Sequence, residues 1–411
     1  MEDKYPAAKL ATVAEIVMGQ SPPGSTYNEA GEGLPFYQGV VDFGARYPSR
    51  RVFCSAPSRI AEAGDILFSV RAPIGHVNIA TERCCVGRGL SVIKPKEPED
   101  RVYIEFVLRA MPSMWDIFEG GGSVFGNARK EDLQSLEIVW PQKTERHTIA
   151  AILGTLDDKI KLNHQMSQTL EAMAQALFKS WFVDFEPFRD QGMQDSTMGP
   201  IPREWRVTEL GEIAEVIDCL HSKKPIRQPC GKPLLQLWNI RDDGLIDMTD
   251  TFWISEEDYL LWISRIEAQV GDCVITNVGR VAATAQIPKG LQAALGRNMT
   301  AIRCYQSFPF PTFLILCLRS SSMKNEIVLK TDTGTILDAL NVKDIPKLRL
   351  VRSPLPLVER FEIESRPLRE RMEKNLAEID TLAAIRDTLL PKLLSGEIRV
   401  TDVEKFVERA V

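Results

Sequence analysis

Guanidinium and amide side chains recur just after strand-like runs: Gln38, Arg71, Arg88, Gln236, Asn239, Asn277, Arg280, Arg297 and Asn298. Arg, Gln and Asn are the types that pair bidentately with guanine or adenine edges. Hydroxyl and ammonium groups stand nearby. Ser21, Ser25, Thr26 and Tyr27 occupy the loop 19–27, Lys223 and Lys224 the loop 218–225, and Ser123 and Thr335 come later in each half. Those types more often hold phosphates. Any one of them alone reads as an ordinary solvated loop residue. As a set at equivalent places in two halves of the chain, they favour recognition.

Catalytic signatures are missing. Phe118-Glu119-Gly120-Gly121-Gly122 matches the F-x-G-x-G of amino-methyltransferases. Those glycines should follow a strand, whereas these follow an expected helix, and no Asp/Asn-Pro-Pro-Tyr/Phe partner lies downstream. Ser21-Pro22-Pro23-Gly24 lacks the acidic or amide first residue and the closing aromatic of that partner. Gly231-Lys232 is followed by Pro233, so no phosphate loop forms. His76, His147, His164 and His221 have no Cys or Ser context for nucleophilic catalysis. No cluster shows metal-ligand spacing. The expectation is no catalytic residue and no metal.

The elements that position these groups come from an internal repeat. Leu10-Ala-Thr-Val-Ala-Glu-Ile-Val17 returns as Leu210-Gly-Glu-Ile-Ala-Glu-Val-Ile217, and Ala63-Gly64-Asp65-Ile66-Leu67 as Val270-Gly271-Asp272-Cys273-Val274. Val86-Gly87-Arg88 matches Leu295-Gly296-Arg297, Gly122-Ser123-Val124-Phe125 matches Gly334-Thr335-Ile336-Leu337, and Asp132-Leu133 matches Asp344-Ile345. The offset grows from 200 to 212, as small loop insertions would produce. Each copy holds β-branched and aromatic runs broken by Gly and Pro (65–70, 90–94, 273–277, Met299–Cys304), which predict strands. Shorter helices are expected at 102–118 and 311–329. The fold class is α+β, with mixed or antiparallel sheets and short helices in each domain.

A Pro-marked break then leads into a long helical stretch, 145–185 in the first copy and 357–394 in the second. Ile149, Leu156, Asn163, Leu170 and Leu177 follow a heptad, as do Phe361, Leu368, Asn375, Leu382 and Leu389. A polar Asn sits mid-series in both, and a seam Asn sets register at some cost in stability. A 40-residue helix is about 60 Å long. The two helices are expected to pair antiparallel as a spacer with pseudo-two-fold symmetry, through Leu156, Asn163, Leu170, Leu368, Asn375 and Leu382. Packing of each helix on its own domain is the alternative. The expected organisation is a domain at 1–142, a helix at 143–186, a linker at 187–206, a second domain at 207–354, a helix at 355–397 and a tail at 398–411.

The 411 residues are 44% apolar and 26% charged, ordinary for a globular chain. No signal sequence or membrane span is evident, and the eight cysteines with only four histidines read as reduced core residues, so the expected compartment is cytoplasmic. A net charge of −6 argues mildly against a free-standing nucleic-acid binder.

The pattern resembles the DNA-specificity (S) subunit of type I restriction-modification enzymes. Gly199-Pro-Ile-Pro-Arg-Glu-Trp205 followed by Leu210-Gly-Glu-Ile-Ala-Glu-Val216 resembles the start of that family's target-recognition domain. Ala176-Leu-Phe-Lys-Ser-Trp-Phe-Val-Asp-Phe185 and Leu389-Leu-Pro-Lys-Leu-Leu-Ser-Gly-Glu-Ile398 resemble its helix-end motifs, and Gly64-Asp65-Ile66-Leu67 with Gly271-Asp272-Cys273-Val274 its central strand motif. The resemblance implies a non-catalytic chain whose two target-recognition domains each read half of a bipartite site in double-stranded DNA. It implies helices that set the gap and dock two methyltransferase subunits, with restriction/translocase subunits joining. S-adenosylmethionine, ATP and Mg would sit on those partners and no cofactor on this chain. The alternatives are an orphan or decoy specificity subunit and a coiled-coil protein-interaction scaffold; an enzyme is third.

Overall fold

The computed structural model describes residues 5–111, 127–332 and 338–400. Chain contacts divide it into two compact units, Met1–Ile160 with Thr381–Val411, and Lys161–Asp380.

In the first unit an antiparallel sheet runs in the order Ala14–Met18, Leu90–Pro95, Ile66–Ser69, Val77–Ile79. Successive side chains on a strand point to opposite faces. Ile66 and Phe68 accordingly join a core with Tyr103, Phe106 and Leu153, while Leu67 joins Tyr37, Val86 and Val92 on the other face. Burial on both faces explains why these strands read as continuous apolar runs rather than alternations. The second sheet has the order Tyr27–Asn28, Val52–Cys54, Leu34–Tyr37, Cys84–Val86, Ile60–Ala61. Within it Leu34–Tyr37 and Cys84–Val86 are parallel.

The second unit repeats this plan. Its antiparallel sheet has the order Ala214–Asp218, Met299–Cys304, Cys273–Thr276, Thr284–Gln286. Cys273 and Ile275 face one core and Val274 the other. Lys232–Leu235 and Ala294–Leu295 form the matching parallel pair. Each domain is closed by pairing its first strand with its last, Ala7–Lys9 with Glu137–Val139 and Arg206–Glu209 with Arg349–Arg352.

The long helices are Lys143–Phe182 and Leu355–Ser395. Within the second unit their segments run antiparallel. Phe361 packs on Phe182 with ring centroids 4.9 Å apart, Arg369 lies 3.8 Å from Glu171, and the Asn375 amide donates to the Ser167 hydroxyl at 3.1 Å. Within the first unit the Arg386 guanidinium reaches Asp157 at 2.6 Å and Arg399 reaches Glu145 at 3.2 Å, the same direction. Asn163 and Asn375 are both fully buried. Leu156, Leu170, Leu368 and Leu382 are only half-buried, because the seam is shared with a second series containing Leu153, Ala174, Met372 and Ile379.

Three sequence expectations shift. The boundary between units falls inside the long helices, since each helix packs into both units, and not at 187–206. That segment is no slack linker: Trp205 is buried against Phe185 and Phe188, with both centroid distances 5.3 Å. The expected helix at 311–329 is two, Pro311–Arg319 and Ser321–Lys330, because Ser320 turns extended and its hydroxyl accepts the Met323 N–H as a cap. At 102–118 the described helix is Arg101–Arg109, and residues 112–118 of that expectation lie outside the described residues.

Candidate nucleic-acid interface

Two parallel strands deliver the expected readers side by side. Gln38 follows Leu34–Tyr37, and Gly87-Arg88 follows the neighbouring Cys84–Val86. The Gly87 N–H donates to the Tyr37 carbonyl at 2.8 Å. A side chain at Gly89 would meet the Gln38 carbonyl at 2.1 Å, so only glycine permits this approach. The Gln38 N–H donates to the Asp42 carboxylate at 2.7 Å, which caps the turn Val40–Asp42. Asp42 is buried and is held in turn by Arg51 at 3.0 Å.

The loop 19–27 closes over this joint. The Ser21 hydroxyl accepts the Arg88 N–H at 3.2 Å, Tyr27 donates its hydroxyl to the Pro22 carbonyl at 2.7 Å, and Thr26 donates to the Pro23 carbonyl at 2.7 Å. Ser21, Tyr27, Gln38, Arg71 and Arg88 together line a cavity of about 400 Å³. Gln38, Arg71 and Arg88 are exposed, as is Ser25, which is not part of that lining. Positive charge and an exposed amide thus converge on one small concavity, a geometry suited to base edges and phosphate oxygens.

The second unit builds the same joint. Gln236 follows Lys232–Leu235, and Gly296-Arg297 follows Ala294–Leu295, with the Gly296 N–H donating to the Leu235 carbonyl at 2.8 Å. A side chain at Gly296 would strike that carbonyl at 2.5 Å and the Gln236 amide at 2.6 Å. The Gln236 N–H donates to Asn239 Oδ1 at 2.8 Å. Other expected readers are buried or committed to turns and loops. Asn239 is buried and also donates to the Asp247 carbonyl at 2.7 Å, so it caps a turn. Asn277 is buried beneath the joint, and Asn298 sits beside it in the left-handed region at φ 66°. Arg280 holds the Ile240 carbonyl and Asp242; Arg297 donates to the Ser222 carbonyl at 2.8 Å and so anchors the loop carrying Lys223 and Lys224. Lys224 lies over the Phe252 ring at 4.5 Å. Ser123 and Thr335 lie outside the described residues.

Residues 3–172 match the family model of the type I restriction modification DNA specificity domain. The type I restriction enzyme MjaIX specificity subunit of Methanocaldococcus jannaschii is 29% identical over 420 residues, covering 96% of this chain and 94% of that relative. The chain is thus similar to type I restriction enzyme specificity subunits over nearly its whole length. The HindI specificity subunit of Haemophilus influenzae is 28% identical over 336 residues, or 69% of this chain and 73% of that one. The fold matches a crystal structure of a type I system S subunit from M. genitalium, with a TM-score of 0.63 at 15% identity, across 96% of this chain and 97% of that one. A specificity subunit is not the catalytic component of its system.

Two further features of this chain escaped sequence reasoning. Asp218, Cys219 and His221 converge, with the His221 ring nitrogen 3.0 Å from Asp218 and 4.0 Å from the Cys219 sulfur. Arg265 lies 3.4 Å from the same carboxylate and burial pushes the Cys219 thiol up, both unfavourable to a cation. The short spacing Asp-Cys-x-His was the available signal. The second feature is Trp238, half exposed at the turn after Gln236, its indole N–H donating to the Asp250 carbonyl at 3.0 Å. No described helix is long and apolar enough to cross a membrane.

Proposed function

We propose that this chain is the specificity subunit and DNA-reading component of a type I restriction-modification complex, each domain reading one half of a bipartite double-stranded site. The observation that carries the reading is the repeated joint of a glutamine and a Gly-Arg pair at the ends of two parallel strands, Gln38 with the exposed Arg88 in one unit and Gln236 with Arg297, which orders the Lys223–Lys224 loop, in the other. The long helices, each about 60 Å, set the gap between half-sites, and two readers on one face of B-DNA sit roughly 34–36 Å apart. Their outer surfaces dock two methyltransferase subunits, which supply S-adenosylmethionine chemistry on adenine; restriction/translocase subunits bring ATP and Mg. The net charge of −6 predicts weak DNA affinity until those partners add basic surface.

The test is co-expression with a cognate methyltransferase subunit in a methylation-free host, followed by genome-wide mapping of N6-methyladenine. A two-part motif with a fixed unspecified gap is the expected result. A stable complex that methylates nothing refutes the reading and favours a decoy subunit.

A further inference from the structure

The turns that follow the two glutamines share one unexpected property. Each is a single 3-10 turn closed by a buried Asx side chain, Asp42 in Val40–Asp42 and Asn239 in Leu237–Asn239. The residue before each cap is a large apolar side chain left in solvent: Val41 at 75% exposure and Trp238 at 48%. Local folding does not require this, since a polar residue there would leave the cap untouched. The positions are also held firmly. The Asp42 N–H donates back to the Gly39 carbonyl at 3.1 Å, and the Asn239 N–H to the Gln236 carbonyl at 2.9 Å. Trp238 is further pinned by its indole bond and by Lys224, whose ammonium lies 5.5 Å from its ring.

An apolar group fixed within a few residues of an amide reader has one natural counterpart on a duplex. Only thymine carries a methyl group in the major groove, and apolar side chains are what recognise it. We propose that Val41 and Trp238 are specificity-determining residues that read a thymine 5-methyl group, one in each half of the site. This rests on the DNA-reading function proposed above. Val41 offers a compact contact, and Trp238 a broad face that spans one methyl group and the adjoining step.

The test uses the complex with its methyltransferase subunits and duplexes in which each thymine of the mapped site is replaced in turn by deoxyuridine, which removes only the methyl. The wild-type initial methylation rate should fall about fourfold at one thymine of each half, the equivalent of one buried methyl. Val41→Ser should erase that sensitivity in one half only and Trp238→Ser in the other, with subunit assembly by size exclusion unchanged. Val41→Ile should retain it. A half-site without thymine, uniform tolerance of deoxyuridine, or unchanged sensitivity in the variants overturns the assignment. So does a variant that loses assembly while keeping its base preference, which would make the apolar pair a protein contact. Absence of any site-specific methylation by the wild type removes the DNA-reading function itself, and this assignment with it.

Discussion

Asp157 ties three elements of the first unit together, so its removal tests the electrostatic account of the fold. Its carboxylate is 4% exposed and accepts from Arg109 of the short helix at 2.7 Å and from Arg386 of the second long helix at 2.6 Å. Asn at this position keeps the shape and one acceptor but removes the buried anion that the two guanidinium groups share, leaving Arg109 to Glu105 at 3.4 Å and Arg386 to Asp387 at 2.8 Å. Breaking a buried pair costs about 3–5 kcal/mol. The side chains of Arg109 and Arg386 are 21% and 16% exposed and gain some hydration, so the lower end applies, about 3 kcal/mol. The neighbouring Asp158 is the control: it is 74% exposed and 3.5 Å from Arg46, and its Asn variant should cost under about 1 kcal/mol. Urea unfolding followed by circular dichroism measures both. The pH dependence carries a sign. Burial pushes the Asp157 carboxyl up, but Arg109 and Arg386 outweigh it and hold the pKa below its ordinary 3.8. The contribution is present above that value and lost as pH falls through the lower folded value. The gap between wild type and Asp157→Asn should therefore persist from pH 7 to pH 5 and close in stronger acid. Equal stability of Asp157→Asn and Asp158→Asn at pH 7 would refute the reasoning.

Other expectations are as direct. Arg71→Ala and Arg88→Ala should each weaken one half-site by about 10- to 100-fold in methylation rate, the loss expected of one bidentate base contact, with unchanged thermal stability. Gly296→Ala should separate the second unit's parallel strands and abolish reading of its half-site; hydrogen exchange should show the opening at Ala294–Leu295. Asn163→Leu should stabilise the chain by about 1–2 kcal/mol in urea unfolding, because both amide atoms are buried without a hydrogen-bond partner among the described residues. Native alkylation with mass spectrometry should find Cys230 modified first. It is exposed, whereas burial pushes the Cys84 and Cys317 thiols up to about 12.

The scaffold was largely legible because it is written twice. Gly87-Arg88 and Gly296-Arg297 align in the sequence, and both prove to sit beside a glutamine at a parallel strand end. Long helices were read to within about two or three residues of their ends, the usual reach of heptad and proline signals. The site was less legible where a polar side chain has two uses. Asn239 and Asn277 have the right chemistry for a base edge, yet one caps a turn and the other is buried under the joint. Arg280 and Arg297 are aimed at backbone carbonyls, which only the loop path decides. The segment 187–206 read as a linker because Gly and Pro dominate it, while the aromatic cluster around Trp205 is assembled from residues distant in sequence.

The first unit's core is finished by Leu389, Leu390, Leu393 and Leu394, which pack with Leu153, Phe106 and Ile149. The second unit is one unbroken stretch of chain. A ribosome adding about 5–20 residues per second reaches Leu389 roughly 12–47 s after Leu153. During that interval the second unit can complete itself while the first, begun earlier, waits with an open apolar groove. Order of synthesis and order of completion are reversed. A chain stopped short of the last helical turns would keep a finished second unit joined to an unfinished first, so quality control acting on exposed apolar surface would detect truncation at the end of the chain opposite to the cut.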